Sequence, residues 1–541
     1  MIRPWLALSL TLFLRTALAA GYPPDPSFDV IHYDFSLQIN DDNDTLVGKA
    51  SITLRMLRPV TEIPFDLLGV RADGKGMVVQ EVREGQTRVP FTQRPNGIVL
   101  HSGRAAEPRQ ERTYLIYYKG IPADGLIYGM NKYHHRTIFS DNWPDRARNW
   151  LPCVDRPSDK ASVDWRITAP DHYQVIANGV LIQDTVLGGH IRYTHWKEEV
   201  PLPTKIMAVG IADFAIDQAG LAEGVPVSAW VYPEDREKGF YDYDQAVSIL
   251  PFYMDRIGPF SYKKLANVQS TTIFGGMENA SCIFYAENLI SGTHRFERVL
   301  AHEIAHQWFG DAVTETDYAH LWLSEGFATY LSALYMASKY GPDTLISMER
   351  SDRKDIIAFA RTYVSPVVDT TSQYMRLLNA NSYQKGGWVL HMLRQRVGDT
   401  AFWKGLREYY ARYRGANAST RDFESVMESA SGQDLNLFFR QWLLTAGHPK
   451  LRLTWTYDAA SGRINLTITQ LQSEPFAFPL DIAVFTPGRD APRIMQCDIK
   501  GGSFTMTIPA DTAPDRIELD PYTRLLFEQD SSRQARSSPT N

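Results

Sequence analysis

Apolar and polar positions alternate from Phe28 onward: Tyr33, Phe35, Leu37 and Ile39 share one parity, with Asp34, Ser36, Gln38 and Asn40 on the other, which predicts a half-buried strand. Ala50–Met56 repeats the pattern. Up to about Asp213 the chain continues as short strands broken by Gly, Pro, Asn and Asp, as in Arg71-Ala-Asp-Gly-Lys-Gly76 and Arg94-Pro-Asn-Gly97. From about Val225 to Gly447 the period lengthens to that of helices, predicted over Asp244–Asp255, Arg295–Phe309, Leu321–Tyr340 and Tyr383–Val397, with Gly341-Pro342 and Gly398 as stops. Alternation returns at Leu451, Leu453, Trp455 and Tyr457, then at Ile464, Leu466 and Ile468, then at Leu480, Ile482 and Val484. The expectation is a multidomain α+β protein: an N-terminal antiparallel β domain over 21–214, a mainly helical domain over 215–447, a small β-sandwich over 448–528 and a polar tail over 529–541.

Residues 1–20 read as a signal peptide, with Arg3, an apolar run to Leu14 and Ala17-Leu18-Ala19 as the cleavage signal. The run is shorter than the ~20 residues that span a bilayer, and no later segment of the mature chain is apolar enough to do so. The protein is expected to be exported, to the periplasm or the medium. Cys153, Cys282 and Cys497 allow at most one disulfide, and small buried apolar roles suit them better. A net charge of -6 with no block of like sign argues against a nucleic-acid partner. Composition says nothing about oligomeric state.

The chemistry lies in Val299-Leu-Ala-His-Glu-Ile-Ala-His-Gln-Trp308. Histidines four apart on a helix face the same way, one turn apart, and such a string is expected only roughly 0.02 times in a shuffled chain of this composition. The helix is otherwise apolar, so unpaired imidazoles there would be costly; a metal removes that cost. Glu325, nineteen positions beyond His306, opens the next helix and supplies a third ligand. Three protein ligands suit a catalytic zinc with one open position, where a water has its pKa lowered toward ~7. Glu303 is not a ligand and is placed to take the water's proton and pass it to a leaving amine, which implies amide hydrolysis. A second donor is then expected for the developing oxyanion. Tyr383 is one candidate for it among 27 tyrosines.

Gly275-Gly-Met-Glu-Asn279, His302-Glu303-x-x-His306 with Glu325, Pro152-Cys-Val-Asp-Arg-Pro-Ser-Asp-Lys-Ala161 and Tyr383-x-Lys385-Gly386 together resemble the M1 family of zinc aminopeptidases, the gluzincin group that includes aminopeptidase N and leukotriene A hydrolase. The resemblance covers about residues 28–447. It implies a thermolysin-like catalytic domain with one zinc on His302, His306 and Glu325, Glu303 as base and Tyr383 as oxyanion donor. It also implies that Gly275, Gly276, Met277, Glu278 and Asn279 bind substrate, with Glu278 holding the free α-amino group. The substrates implied are peptides with a free N-terminus.

Where many family members carry a second amine anchor, this chain has Asp141; Ser324 replaces the usual Asn before the third ligand. The chain stops after the small β domain, so the large helical domain of many relatives is not expected over the cleft. Two other readings compete: a thermolysin-like endopeptidase, disfavoured by ligand spacing and Glu278, and a binding protein on an inactive peptidase scaffold, which should have lost a ligand or Glu303. An epoxide hydrolase of the leukotriene type would want a tyrosine where Leu378 stands.

Overall fold

The computed structural model describes residues 27–530, so the signal-peptide segment and most of the expected tail lie outside the described residues. Phe28–Gln38 and Leu46–Met56 pair antiparallel near the middle of an eight-stranded sheet. The alternation is what the sheet needs: Tyr33, Phe35 and Leu37 are buried on one face, where Phe35 stacks on Trp165 and Trp165 on Trp150 at 5.2 and 5.9 Å. One junction is parallel, His32–Gln38 against Ser162–Thr168, because the chain returns to this edge only after a smaller four-stranded sheet has begun with Leu126–Met130 and Arg136–Ser140.

A further, mixed sheet follows in the order Ala215–Ala222, Val225–Val231, Leu265–Ser270, Cys282–Ala286 and Gly276–Met277. The short last strand is an edge, paired antiparallel through Gly276 with Tyr285 and Met277 with Phe284. The histidine helix Glu297–His306 lies against that short edge strand, the glutamate helix Trp322–Tyr340 packs on the histidine helix, and the rim helix Pro342–Ala360 and the tyrosine helix Gly386–Val397 pack on the glutamate helix. Gly341 (φ 100°) and Gly398 (φ 81°) end the second and fourth of these in a conformation that other residues avoid.

The helix expected over Asp244–Asp255 is Ala246–Arg256, and a further helix, Arg236–Tyr243, precedes it. That earlier helix carries few apolar positions, so periodicity missed it; Gly239 packs its backbone against Val231, where a Cβ would come within 2.6 Å. Tyr383 does not open an α-helix. It lies in a π-helical turn, Asn381–Lys385, closed by Lys385 N donating to Ala380 O at 2.8 Å.

The C-terminal strands form two sheets, one of four strands around Lys450–Asp458 and Arg463–Gln470 and one of three around Phe478–Phe485. They bury Leu451, Leu453, Ile464, Leu466, Ile468, Leu480, Ile482 and Val484, the apolar parity of the sequence. Cys153 and Cys282 are buried free thiols, and Cys497 is free and half-buried.

Candidate active site

The histidine helix presents His302 and His306 one turn apart, and the first turn of the glutamate helix brings Glu325 across to them. The two Nε2 atoms lie 3.0 Å apart, and Glu325 Oε2 is 3.4 and 3.3 Å from them. Among the described residues this is the one group of His, Cys, Asp and Glu placed to hold a metal ion. Adjacent ligand atoms of a tetrahedral zinc with bonds of ~2.0–2.1 Å are about 3.3 Å apart, so the triangle has the right edges. Buried Glu325 Oε2 has no hydrogen-bond partner of its own, as a metal-binding oxygen should not.

His306 is oriented from behind. Its Nδ1 is 3.2 Å from Phe309 O and 3.0 Å from Ser324 Oγ, which places the proton on Nδ1 and leaves the Nε2 lone pair for the metal. Gly310 lets that cradle close: a Cβ there would lie 2.4 Å from Ser324 Oγ and 3.0 Å from His306 Nδ1. Ser324 therefore acts on the site, a role that its position in the sequence did not disclose. Gln307, next to His306, was also missed. Its amide donates to Glu278 O at 2.7 Å and accepts from Ser281 N at 2.8 Å, pinning the edge strand to the histidine helix.

Burial, like-charged Glu278 and Glu325 push the Glu303 carboxyl well above the ordinary range. Burial likewise raises Glu278. For His306 burial acts downward, but the carboxylates of Glu325 and Glu278 outweigh it and carry the imidazole up to about 10, so that a dication bound there would displace the proton from Nε2, whereas burial takes His302 down to about 4. So many carboxylates around one point make a pocket of negative potential that a dication would neutralise. The Tyr383 hydroxyl, raised by burial and then by Glu325 and Glu278, stays protonated and able to donate. Its ring lies nearly parallel to His302, with centroids 6.0 Å apart.

All of this opens into one cleft of ≈ 450 Å³, lined by His302, His306, Glu325, Glu303, Tyr383, Gly275, Gly276, Met277 and Glu278. Asn279, the last residue of that stretch, is buried behind it with its Nδ2 unpartnered. Trp143, Phe274, Met277 and Leu378 supply the apolar wall, with Trp143 edge-on to Phe274 at 6.0 Å. Asp141 is a different matter. Its carboxylate is taken by Arg146 and by Thr272 Oγ1 at 3.4 Å and does not line the cleft, so the side chain in that neighbourhood that reaches the cleft is Trp143.

The Peptidase M1 N-terminal domain model matches residues 30–206 and the Peptidase family M1 domain model matches residues 241–442, which together take in well over half of the chain. Glutamyl aminopeptidase of Rattus norvegicus is 24% identical over 486 residues, 82% of this chain and 50% of that protein. Probable aminopeptidase 2 of Sulfurisphaera tokodaii is 27% identical over 396 residues, 70% of this chain and 50% of that one. The chain thus spans about half the length of the curated relatives it matches. Among solved structures, the M1 zinc metallopeptidase of Deinococcus radiodurans superposes with a TM-score of 0.66 at 25% identity, over 77% of this chain and 94% of that one. A mutant of that enzyme has been solved with a Tyr-Ser-Ala substrate bound. With both domain models matched in order over well over half of its length, the chain belongs to peptidase family M1.

Proposed function

We propose that the protein is a zinc aminopeptidase that removes the N-terminal residue from peptides. The observation that carries this reading is the presence of Glu278, immediately after the edge strand Gly276–Met277, in the same cleft as the His302–His306–Glu325 triad. An edge strand offers unpaired backbone groups to an extended peptide, and a buried carboxylate beside it suits an α-ammonium. Zinc held by the triad supplies a Lewis acid and lowers the pKa of water. Glu303 accepts the proton of the attacking water and delivers it to the leaving nitrogen. Tyr383 donates from its hydroxyl to the carbonyl oxygen as negative charge builds there. Glu278 fixes the register by pairing with the free amine, so cleavage falls one residue from the terminus. The tripeptide bound by the Deinococcus radiodurans relative is of this substrate class.

Trp143, Phe274, Met277 and Leu378 suit an apolar or aromatic first side chain. Export is proposed on the strength of residues 1–20 alone; among the described residues no helix is long and apolar enough to cross a membrane.

A peptide and its N-acetylated twin test the substrate class: the free peptide should be cleaved and the acetylated one spared, and equal rates would point to an endopeptidase instead. Glu303→Gln should keep its zinc and lose roughly 10²–10⁴-fold in kcat. Full activity in that variant would remove the base assignment.

A further inference from the structure

Lys385 is a buried lysine that the proposed reaction does not use. It ends the π-helical turn that carries Tyr383, is 1% exposed, and its Nζ donates to Gly447 O at 2.7 Å. Burial alone takes its pKa down to about 7. A lysine enclosed without a carboxylate is costly, and an apolar side chain would fill the same volume at less cost. What the amine adds is one directed bond, so the place that bond reaches matters.

Gly447 lies between the turn Arg440–Leu444 and the strand Lys450–Asp458, in the connector to the C-terminal sheets. The other end of the tyrosine's turn is bonded to Ser365, in a segment that reaches the turn just before that connector. Asn381 Nδ2 donates to Ser365 O at 3.1 Å and Ser365 Oγ at 3.0 Å, and just beyond, Val367 N and Val368 N both donate to Leu443 O at 3.0 Å. Tyr383 stands in the middle of a turn held directly by Gly447 O at its Lys385 end and by Ser365 at its Asn381 end. Turns of this kind are rare and recur at functional sites, where an extra residue re-aims a side chain. Misplacing a catalytic group by about 1 Å can cost 10²-fold in rate.

We infer that Lys385 is a positioning residue: its bond to Gly447 fixes the aim of the Tyr383 hydroxyl and makes the connector to the C-terminal sheets part of the catalytic geometry. This rests on the reading of Tyr383 as oxyanion donor. A lysine that acts through Tyr383 has nothing left to position once the hydroxyl is gone, whereas one that merely supports the fold costs the same in either background.

The test is a double-mutant cycle on the full chain, with kcat, KM, zinc content and Tm measured for the wild type, Lys385→Met, Tyr383→Phe and the pair, using an aminoacyl fluorogenic amide as substrate. Lys385→Met is expected to lower kcat by about 10–10²-fold with KM and zinc unchanged. In the Tyr383→Phe background it should change kcat by less than about twofold. Equal losses in both backgrounds, an unchanged kcat, or a loss confined to KM or zinc would overturn the inference. If the methionine variant does not fold, Lys385→Gln, which keeps a donor on a shorter arm, enters the same cycle with the same criteria. Tyr383→Phe at full kcat would instead remove the oxyanion assignment itself, and this inference with it; an impaired Tyr383→Phe beside a neutral Lys385→Met overturns this inference alone.

Discussion

Gly276 and Glu303 lie so close that a side chain on the glycine has nowhere to go. A Cβ there would come within 2.3 Å of both Cδ and Oε1 of Glu303, whereas one on Gly275 would meet nothing within 4 Å. Gly276→Ala therefore has to displace the carboxylate proposed as the base, and we expect kcat to fall by about 10²-fold or more with zinc retained. Gly275→Ala should cost less, and a side-by-side measurement of kcat for the two variants checks the assignment; equal losses would mean that the strand as a whole, not the base, had been disturbed. Only part of this was legible in the sequence. His302 and His306 declare themselves because their spacing is a helix turn, and Glu325 because it opens the next helix. The unequal burdens on Gly275 and Gly276 depend on which of them faces Glu303, and Ser324 matters only because its hydroxyl meets Nδ1 of a histidine on another helix. Asp141 was placed in the right neighbourhood, but its pairing with Arg146 turns on a local fold that alternation does not encode.

Between elements, the contact that sets Glu325 against Tyr383 is a pair of glycines. Gly326, beside the third ligand, and Gly386, just after the tyrosine's turn, bring the glutamate and tyrosine helices into backbone contact; a Cβ on Gly326 would lie 2.7 Å from Gly386 C and 2.8 Å from its Cα. Backbone cannot swing aside as a flexible side chain does. Gly326→Ala should separate the two helices, with a destabilisation of about 1–3 kcal/mol visible as a lower Tm or urea midpoint. A melt indistinguishable from that of the wild type would show that the crossing has slack. The glutamate helix itself was legible nearly to the residue, since its apolar period and Gly341 stop are local. The close crossing was not, because glycines in helical segments read equally well as weak points. The π-helical turn escaped for a related reason: what holds it is Asn381 reaching Ser365 and Lys385 reaching Gly447, and both partners lie outside any window in which periodicity is read.

Across the whole molecule, the textures of the sequence located the β-rich and helical regions but not the bonds between them. Lys160 donates to Asp311 O and Ala312 O at 3.0 Å across 151 and 152 positions, and Arg353 reaches Asp520 Oδ2 at 2.6 Å and Leu525 O at 2.7 Å. The seam between the tyrosine helix and the C-terminal sheets includes a titratable group whose behaviour can be worked out. His391 Nε2 donates to Thr523 O at 3.0 Å, which leaves Nδ1 as acceptor for the Tyr330 hydroxyl at 3.3 Å. Burial, and then Arg394, Arg353 and Arg524 around it, bring its pKa down to about 4, while the unfolded imidazole titrates near ~6.5. Between those values the unfolded chain binds a proton that the folded chain refuses, so this residue's contribution is complete above about pH 6.5 and is lost as pH falls toward 4. Buried Asp520, whose carboxyl is raised by burial, acts in the opposite sense, so the raw pH profile mixes the two. Comparing the wild type with His391→Gln separates them, because Asp520 is common to both. The stability of the wild type relative to the variant should decline by about 2–3 kcal/mol between pH 7 and pH 4.5, measured by urea unfolding. Parallel profiles would mean that His391 takes up its proton in the folded chain and that the seam does not exclude it.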